Sequence, residues 1–212
     1  MLIASYNPTS TGDTLVLVLA ANVKNQKVDI QNNVARIFDP VSSKTTGYNF
    51  LKVSEILPEI ASQNGRVLLS KAQVSTLNDY LNNNGFKGDI VFDKKPRFIV
   101  GYVKTVKDHP RSNHLKVTST LVDGGKVLQI VSGSPNMKEN IKVVVAKAGA
   151  FMPNGQIIWP GELRGVQSQG MICSGRELHL PNAPQVPGAL ILPDDYVVGE
   201  PFDFKKAQSI FE

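Results

Sequence analysis

The sequence predicts a small α+β unit followed by an all-β unit suited to a small closed barrel. Three observations carry this. Residues 1–93 contain several short strand-like runs around one stretch of helical period. From 94 to about 205 strand-like runs follow one another closely, and only a short segment near Cys173–Leu178 has helical period. The charge balance changes at the same boundary: residues 1–93 hold 8 Lys and Arg against 8 Asp and Glu, residues 94–176 hold 13 against 4, and residues 177–212 hold 2 against 6.

In the first unit, TLVLVLA (14–20), bounded by Gly12 and Asn22, reads as a buried strand. KVDIQ (27–31) alternates, and NVARIFD (33–39) follows a turn-favouring Asn pair, so the two suggest an antiparallel meander. TTGYNFLKV (45–53) extends it. Ser54 is the expected N-cap of a short helix, EILPEIA, interrupted by Pro58. GRVLLS (65–70) reads as a strand. A helix is expected over 70–86, with Ser70 as N-cap, Val74, Leu77 and Leu81 on one face, and Gly85 as its stop. No chemical motif stands out in this unit.

The second unit begins near FDKKPRF. RFIVGYVKTVK (97–107) is a long strand in which Gly101 is a candidate bulge or bend. LKVTSTLVD (115–123) places Leu115, Val117, Ser119 and Leu121 on one face and Lys116, Thr118, Thr120 and Val122 on the other. DGG (123–125) turns the chain into KVLQIVS (126–132). IKVVVAKA (141–148) is a fourth strand, and GQIIWP with GELRGV (155–166) offers more. A long bent strand followed by a hairpin suits an OB-type barrel, which binds its ligand on one face and the surrounding loops, although other small β-folds share this strand spacing.

With 212 residues, 42% of them hydrophobic and 19% charged, the chain is long enough for one large or two small packed domains. No apolar run approaches the roughly 20 residues of a membrane span, and the N-terminus lacks the pattern of a secretory signal. The single cysteine, Cys173, has no partner for a disulfide within the chain and there is no CxxC pair. A cytoplasmic protein without membrane association is expected. The cationic stretch at 94–176 points to a polyanionic partner, with solvated surface as the alternative.

Four motifs then occur in order: HPRSNHL (109–115), QIVSGSPN (129–136), KVVVAKAGAFMPNGQII (142–158) and ELRGVQSQGMICSGREL (162–178). Together they resemble the tRNA-binding domain family, whose barrel is found in the beta chain of bacterial phenylalanyl-tRNA synthetase, in many methionyl-tRNA synthetases and in free-standing tRNA-binding proteins. GDTLVLVL, TTGYN and FIVGYVKTVKDHP further resemble a stand-alone bacterial member with an extra N-terminal domain. The resemblance implies an α+β domain of unknown role over 1–93 and a five-stranded OB-fold tRNA-binding domain over 94–205. It implies tRNA as partner and no catalysis by this chain. An aminoacyl-tRNA synthetase or other tRNA enzyme is a further candidate partner, and a monomer is expected because 181–204 resembles the synthetase-embedded form. The family's first motif carries an acidic and then a basic residue before Leu; here Asn113 and His114 stand there, and Arg111 restores the positive charge.

The candidate tRNA-binding residues are His109, Arg111, Asn113, His114, Lys116, Asn136, Lys138, Lys142, Lys147, Arg164, Ser168 and Met171. Lys116, Lys138, Lys142, Lys147 and Arg164 are the phosphate candidates, and about five such contacts imply a log–log salt slope near −4. His109 serves a turn as readily as RNA, Asn136 can close the turn after Pro135, and Gly170 with Met171 can fill the barrel mouth instead of facing ligand. No metal or cofactor is expected, since His109 and His114, with Asp108 adjacent, have no third His nearby and the chain has no cysteine pair. Two other classes compete: a protein-interaction adaptor working through the neutral first unit, and a hydrolase of charged tRNA using Cys173 or His109.

Overall fold

The computed structural model describes residues 1–212, which separate into two units, Met1–Lys94 and Lys95–Glu212. The first contains β1 (Ile3–Tyr6), a short helix α1 (Pro8–Thr11), β2 (Thr14–Val18), β3 (Lys27–Gln31), β4 (Val34–Phe38), β5 (Thr45–Leu51), β6 (Gly65–Val67) and helix α2 (Lys71–Asn83). Its six strands form one antiparallel sheet in the order β3-β4-β5-β2-β1-β6. Alternate residues on one sheet face, among them Tyr6, Leu15, Leu17, Val34, Tyr48 and Phe50, pack with Val74, Leu77 and Leu81 of α2 in one core. The helix begins as expected: Ser70 Oγ accepts from Gln73 N and Gln73 Oε1 accepts from Ser70 N, a reciprocal capping box. It ends at Asn84, and Gly85 follows with φ +80°.

Two expectations for this unit change. EILPEIA forms two 3₁₀ turns, Val53–Glu55 and Pro58–Ser62, with Pro58 starting the second. Ser54 is no cap; its N–H and Oγ donate to Asp13, whose carboxyl these bonds and one from Tyr6 hold below the usual range against the opposing effect of burial. The inner strand β1 had no sequence signal, being four residues long and ended by Asn7-Pro8, where Asn7 caps α1.

The second unit contains β7 (Phe98–Asp108), β8 (Lys116–Leu121), β9 (Val127–Ser132), β10 (Lys142–Lys147), β11 (Gly161–Leu163), β12 (Val166–Ser168), β13 (Gly170–Ile172) and β14 (Ile191–Leu192). The main sheet runs β13-β10-β7-β8-β9, with β14 also on β10 and a β11–β12 hairpin beside it. The far edge returns to β9: Gln169 N donates to Gln129 O at 2.9 Å, and Gln129 N to Gln169 Oε1 at 2.9 Å. A nearly closed antiparallel OB-type barrel results.

Ile99, Val103, Ile130, Val143, Val145 and Ile172 fill the barrel. Phe98, Val100, Val144 and Ala146, on the opposite faces of the same strands, pack outward against Cys173, Leu178, Leu190, Tyr196, Phe202 and Ala207. Burial of both faces explains the unbroken apolar run of β10, and the outer layer continues past residue 205 to Ile210 and Phe211. The inward face of β8 is its threonine face: Thr118 Oγ1 donates to Ile130 O at 3.0 Å and lies 2.9 Å from Thr120 Oγ1. Gly101 is a close-approach position, since a Cβ there would press on Val145 and Thr120; the register shift of β7 against β8 lies instead between Val103 and Thr105. The expected helical segment near Cys173–Leu178 is a series of turns, capped by Ser174 and Glu177.

Candidate functional site

The turn that follows β7 is held by His109. Its ring is buried at 4% exposure, its Nδ1 accepts from Arg111 N at 3.1 Å, and its Nε2 lies 3.0 Å from Leu163 O. A backbone N–H can only donate, so Nδ1 is the acceptor and Nε2–H donates to Leu163. The imidazole thereby ties the turn to the end of β11, 54 residues away. Ser112 N donates to His109 O, and Leu115 N to Ser112 Oγ, which closes the loop over the buried Leu115.

Past Leu163, Arg164 (φ 46°) and Gly165 (φ 78°) form the two-residue left-handed turn of the β11–β12 hairpin. The Arg111 guanidinium occupies the space a Cβ on Gly165 would fill, and Arg164 Nη1 donates to Arg111 O at 3.4 Å. Two cations are thus placed side by side on a constrained support. Asn113 and His114 lie exposed on the same turn, with His114 Nδ1 near both Ser112 Oγ (3.3 Å) and Asn113 Oδ1 (3.2 Å). Lys116 pairs with Asp108 and holds that carboxyl below the usual carboxylate range.

Beside the hairpin a surface groove of about 260 Å³ is lined by Val131, Leu163, Met171, Ile172 and Pro187, with Ser132, Ser134, Ser174, Arg176 and Glu177 supplying polar groups. Leu163 is 41% exposed there. Arg176 is exposed and has no carboxylate partner. Sequence reading did not single it out, although it is the last cation of the basic stretch, because nothing local distinguishes it from solvated surface.

The remaining candidates lie elsewhere or face inward. Ser168, 4% exposed, donates through Oγ to Gly170 O and accepts from Val131 N, which joins β12 and β13 to β9. Asn136 pairs through its amide with both backbone groups of Ala189, at 2.9 and 2.8 Å. Lys147 forms an ion pair with both oxygens of Asp123, at 2.8 and 2.9 Å, and Lys142 donates to Asp194 O at 2.6 Å. Lys138 is exposed on the loop before β10.

Cys173 is wholly buried in the outer core, and burial followed by the charge of Glu177 pushes its thiol far up from the ordinary value. No three His, Cys, Asp or Glu side chains converge to hold a metal, and no helix is long and apolar enough to cross a membrane.

Both units match known protein families. Residues 98–201 match the family described as "Putative tRNA binding domain", and residues 21–93 match a domain described as being of unknown function, DUF4479. The "Putative tRNA-binding protein YtpR" of Bacillus subtilis (strain 168) is 43% identical over 202 residues, covering 95% of this chain and 99% of that protein. The phenylalanine-tRNA ligase beta subunit of Acinetobacter baylyi is 39% identical over 128 residues, 59% of this chain and 16% of its own length. The corresponding subunit of Neisseria meningitidis is 45% identical over 101 residues, 48% and 13% of the two chains.

Proposed function

The chain belongs to the tRNA-binding domain family, and from that premise we propose that its barrel binds folded tRNA without performing chemistry on it. The observation that carries this reading is the cross-bracing of the 109–115 turn and the β11–β12 hairpin, which holds Arg111 and Arg164 together on one rim. Arg176 at the neighbouring groove adds a third guanidinium. Guanidinium groups bind phosphate oxygens in a bidentate manner, and Asn113 and His114 supply further hydrogen-bonding groups for phosphate or ribose. Folded RNA hides its base edges in a deep groove, so recognition by backbone and shape suits such a rim. The turn, the hairpin and the groove contain no Phe, Tyr or Trp, the residues on which a sequence-indifferent single strand would stack.

Binding without catalysis is supported by the state of the two nucleophile and base candidates. Cys173 is buried with its thiol held protonated, and both ring nitrogens of His109 are bonded within the chain. A hydrolase of charged tRNA that used either residue would need that residue exposed and poised.

Lys116 and Lys147 already carry carboxylate partners, so contact with phosphate exchanges one ion pair for another. The three guanidinium groups at the rim and groove have no carboxylate partner, and if they alone meet phosphate, at 0.7–0.9 each, the slope is roughly −2 to −3 in place of −4. Competition binding tests the reading: folded tRNA is expected to displace labelled tRNA far better than equal masses of single-stranded RNA or duplex DNA at both low and moderate salt. Equal competition by all three would contradict recognition of the folded molecule.

A further inference from the structure

We infer that the groove between β9, β11, β13 and the 187–188 loop is a receptor for one unstacked nucleobase of the bound RNA; this rests on the tRNA-binding reading and extends it. The groove is apolar where a ring face would lie, on Val131, Leu163, Met171, Ile172 and Pro187. Burying Leu163 and Met171 under a ligand ring would remove apolar surface that the fold leaves exposed. The methionine thioether is polarisable and favours aromatic rings. At about 260 Å³ the groove falls below the roughly 300–1,000 Å³ of sites that hold drug-sized molecules, a size suited to a single planar ring system.

Its polar groups sit where a base edge needs them. Ser134 and Arg176 make no side-chain hydrogen bonds within the chain, and Glu177 uses Oε2 on Ser174 while Oε1 has no partner. A donor, an acceptor and a hydroxyl are therefore available to the edge of a base. The mouth adjoins Leu163, whose carbonyl His109 holds and whose neighbour is Arg164, so a nucleotide whose phosphate meets the rim has its base within reach of the groove. An apolar peptide side chain would fit the walls but gains nothing from three neighbouring guanidinium groups. Unstacked loop bases are what folded RNA offers for such insertion.

The test uses the full chain with its methionine methyl groups labelled for NMR. Because no Phe, Tyr or Trp lines the groove, a ring newly stacked on the Met171 methyl is an RNA base. Saturating tRNA is expected to move the Met171 methyl upfield while the buried Met137 and Met152 methyls stay close to their free positions. A fully paired RNA duplex, which engages the rim but offers no unstacked base, is expected to leave Met171 in place. Ser134→Trp, which fills the groove and leaves the rim arginines intact, is expected to weaken tRNA binding by about 5- to 10-fold, near the low end of base-stacking contributions, with unchanged thermal melting. A stationary Met171 methyl at saturation, an equal shift with the duplex, or undiminished affinity of a folded Ser134→Trp overturns the receptor while leaving tRNA binding in place. Absence of tRNA binding by the unmodified chain overturns both.

Discussion

His109 and His114 are five residues apart, of one type, and face opposite environments. Sequence spacing cannot separate them, because the group that decides the matter, Leu163 O, is 54 residues away. The same limit applies to the cations. Charge counting treats Lys116 and Lys147 as phosphate-binding groups, yet the register of β7 on β8 places Asp108 against Lys116, and the turn after β8 places Asp123 against Lys147. Asp108→Asn removes the competing carboxylate and is expected to raise tRNA affinity and steepen the salt slope by roughly 0.7–0.9, as filter binding over a salt series would read; no change would mean that Lys116 does not meet phosphate. In the first unit Tyr48 is buried and hydrogen-bonded to Asp89, and burial, then that carboxylate, pushes its hydroxyl up to about 12. The unfolded phenol ionises near 10 while the folded one stays protonated, so the unfolded state binds fewer protons and stability falls as pH rises from about 10 to about 12. Chemical denaturation across that range is expected to show the loss, and Tyr48→Phe to flatten it.

At the scale of elements, strands and helices with a full period were legible. β2 follows from its apolar run, β3, β4 and β5 from the meander of strand-like segments after it, and α2 from the 3.6-residue period and the Ser70 cap. β1, β13 and β14 were not legible: two to four residues show too little alternation to stand out, and these strands are fixed by pairing with β2 and β6 or with β10. The β11–β12 hairpin is the element on which the proposed binding rim depends, and its turn is set by Gly165 at φ 78° with Arg111 packed over it. Gly165→Ala places a Cβ in the left-handed region, at about 1–2 kcal/mol, and displaces the guanidinium. A modest drop in melting temperature with a larger loss of tRNA affinity is expected; a drop in melting temperature alone would separate the hairpin from binding. Gly101→Val acts elsewhere, overpacking the barrel against Val145 and Thr120, and is expected to cost about 1–3 kcal/mol in urea unfolding.

Across the whole molecule, the sequence charge asymmetry separates two kinds of surface. Residues 1–93 carry 8 cations against 8 anions, and Val28 and Ile30 of edge strand β3 are exposed there at 55% and 64%. The second unit concentrates cations, but internal pairing with Asp108, Asp123 and Asp195 reduces those available to a polyanion. Among the cations without a carboxylate partner, which also include exposed Lys104, Lys107, Lys126 and Lys138, the guanidinium groups of Arg111, Arg164 and Arg176 lie at the braced rim and its groove. Their number is what the most direct measurement reads: filter binding of folded tRNA to the intact chain over a range of salt concentrations. A log–log slope of roughly −2 to −3, falling toward −1 when Arg111 and Arg164 are both replaced by Ala, is the expected result. A slope near zero, or one unchanged by the double substitution, would contradict the account.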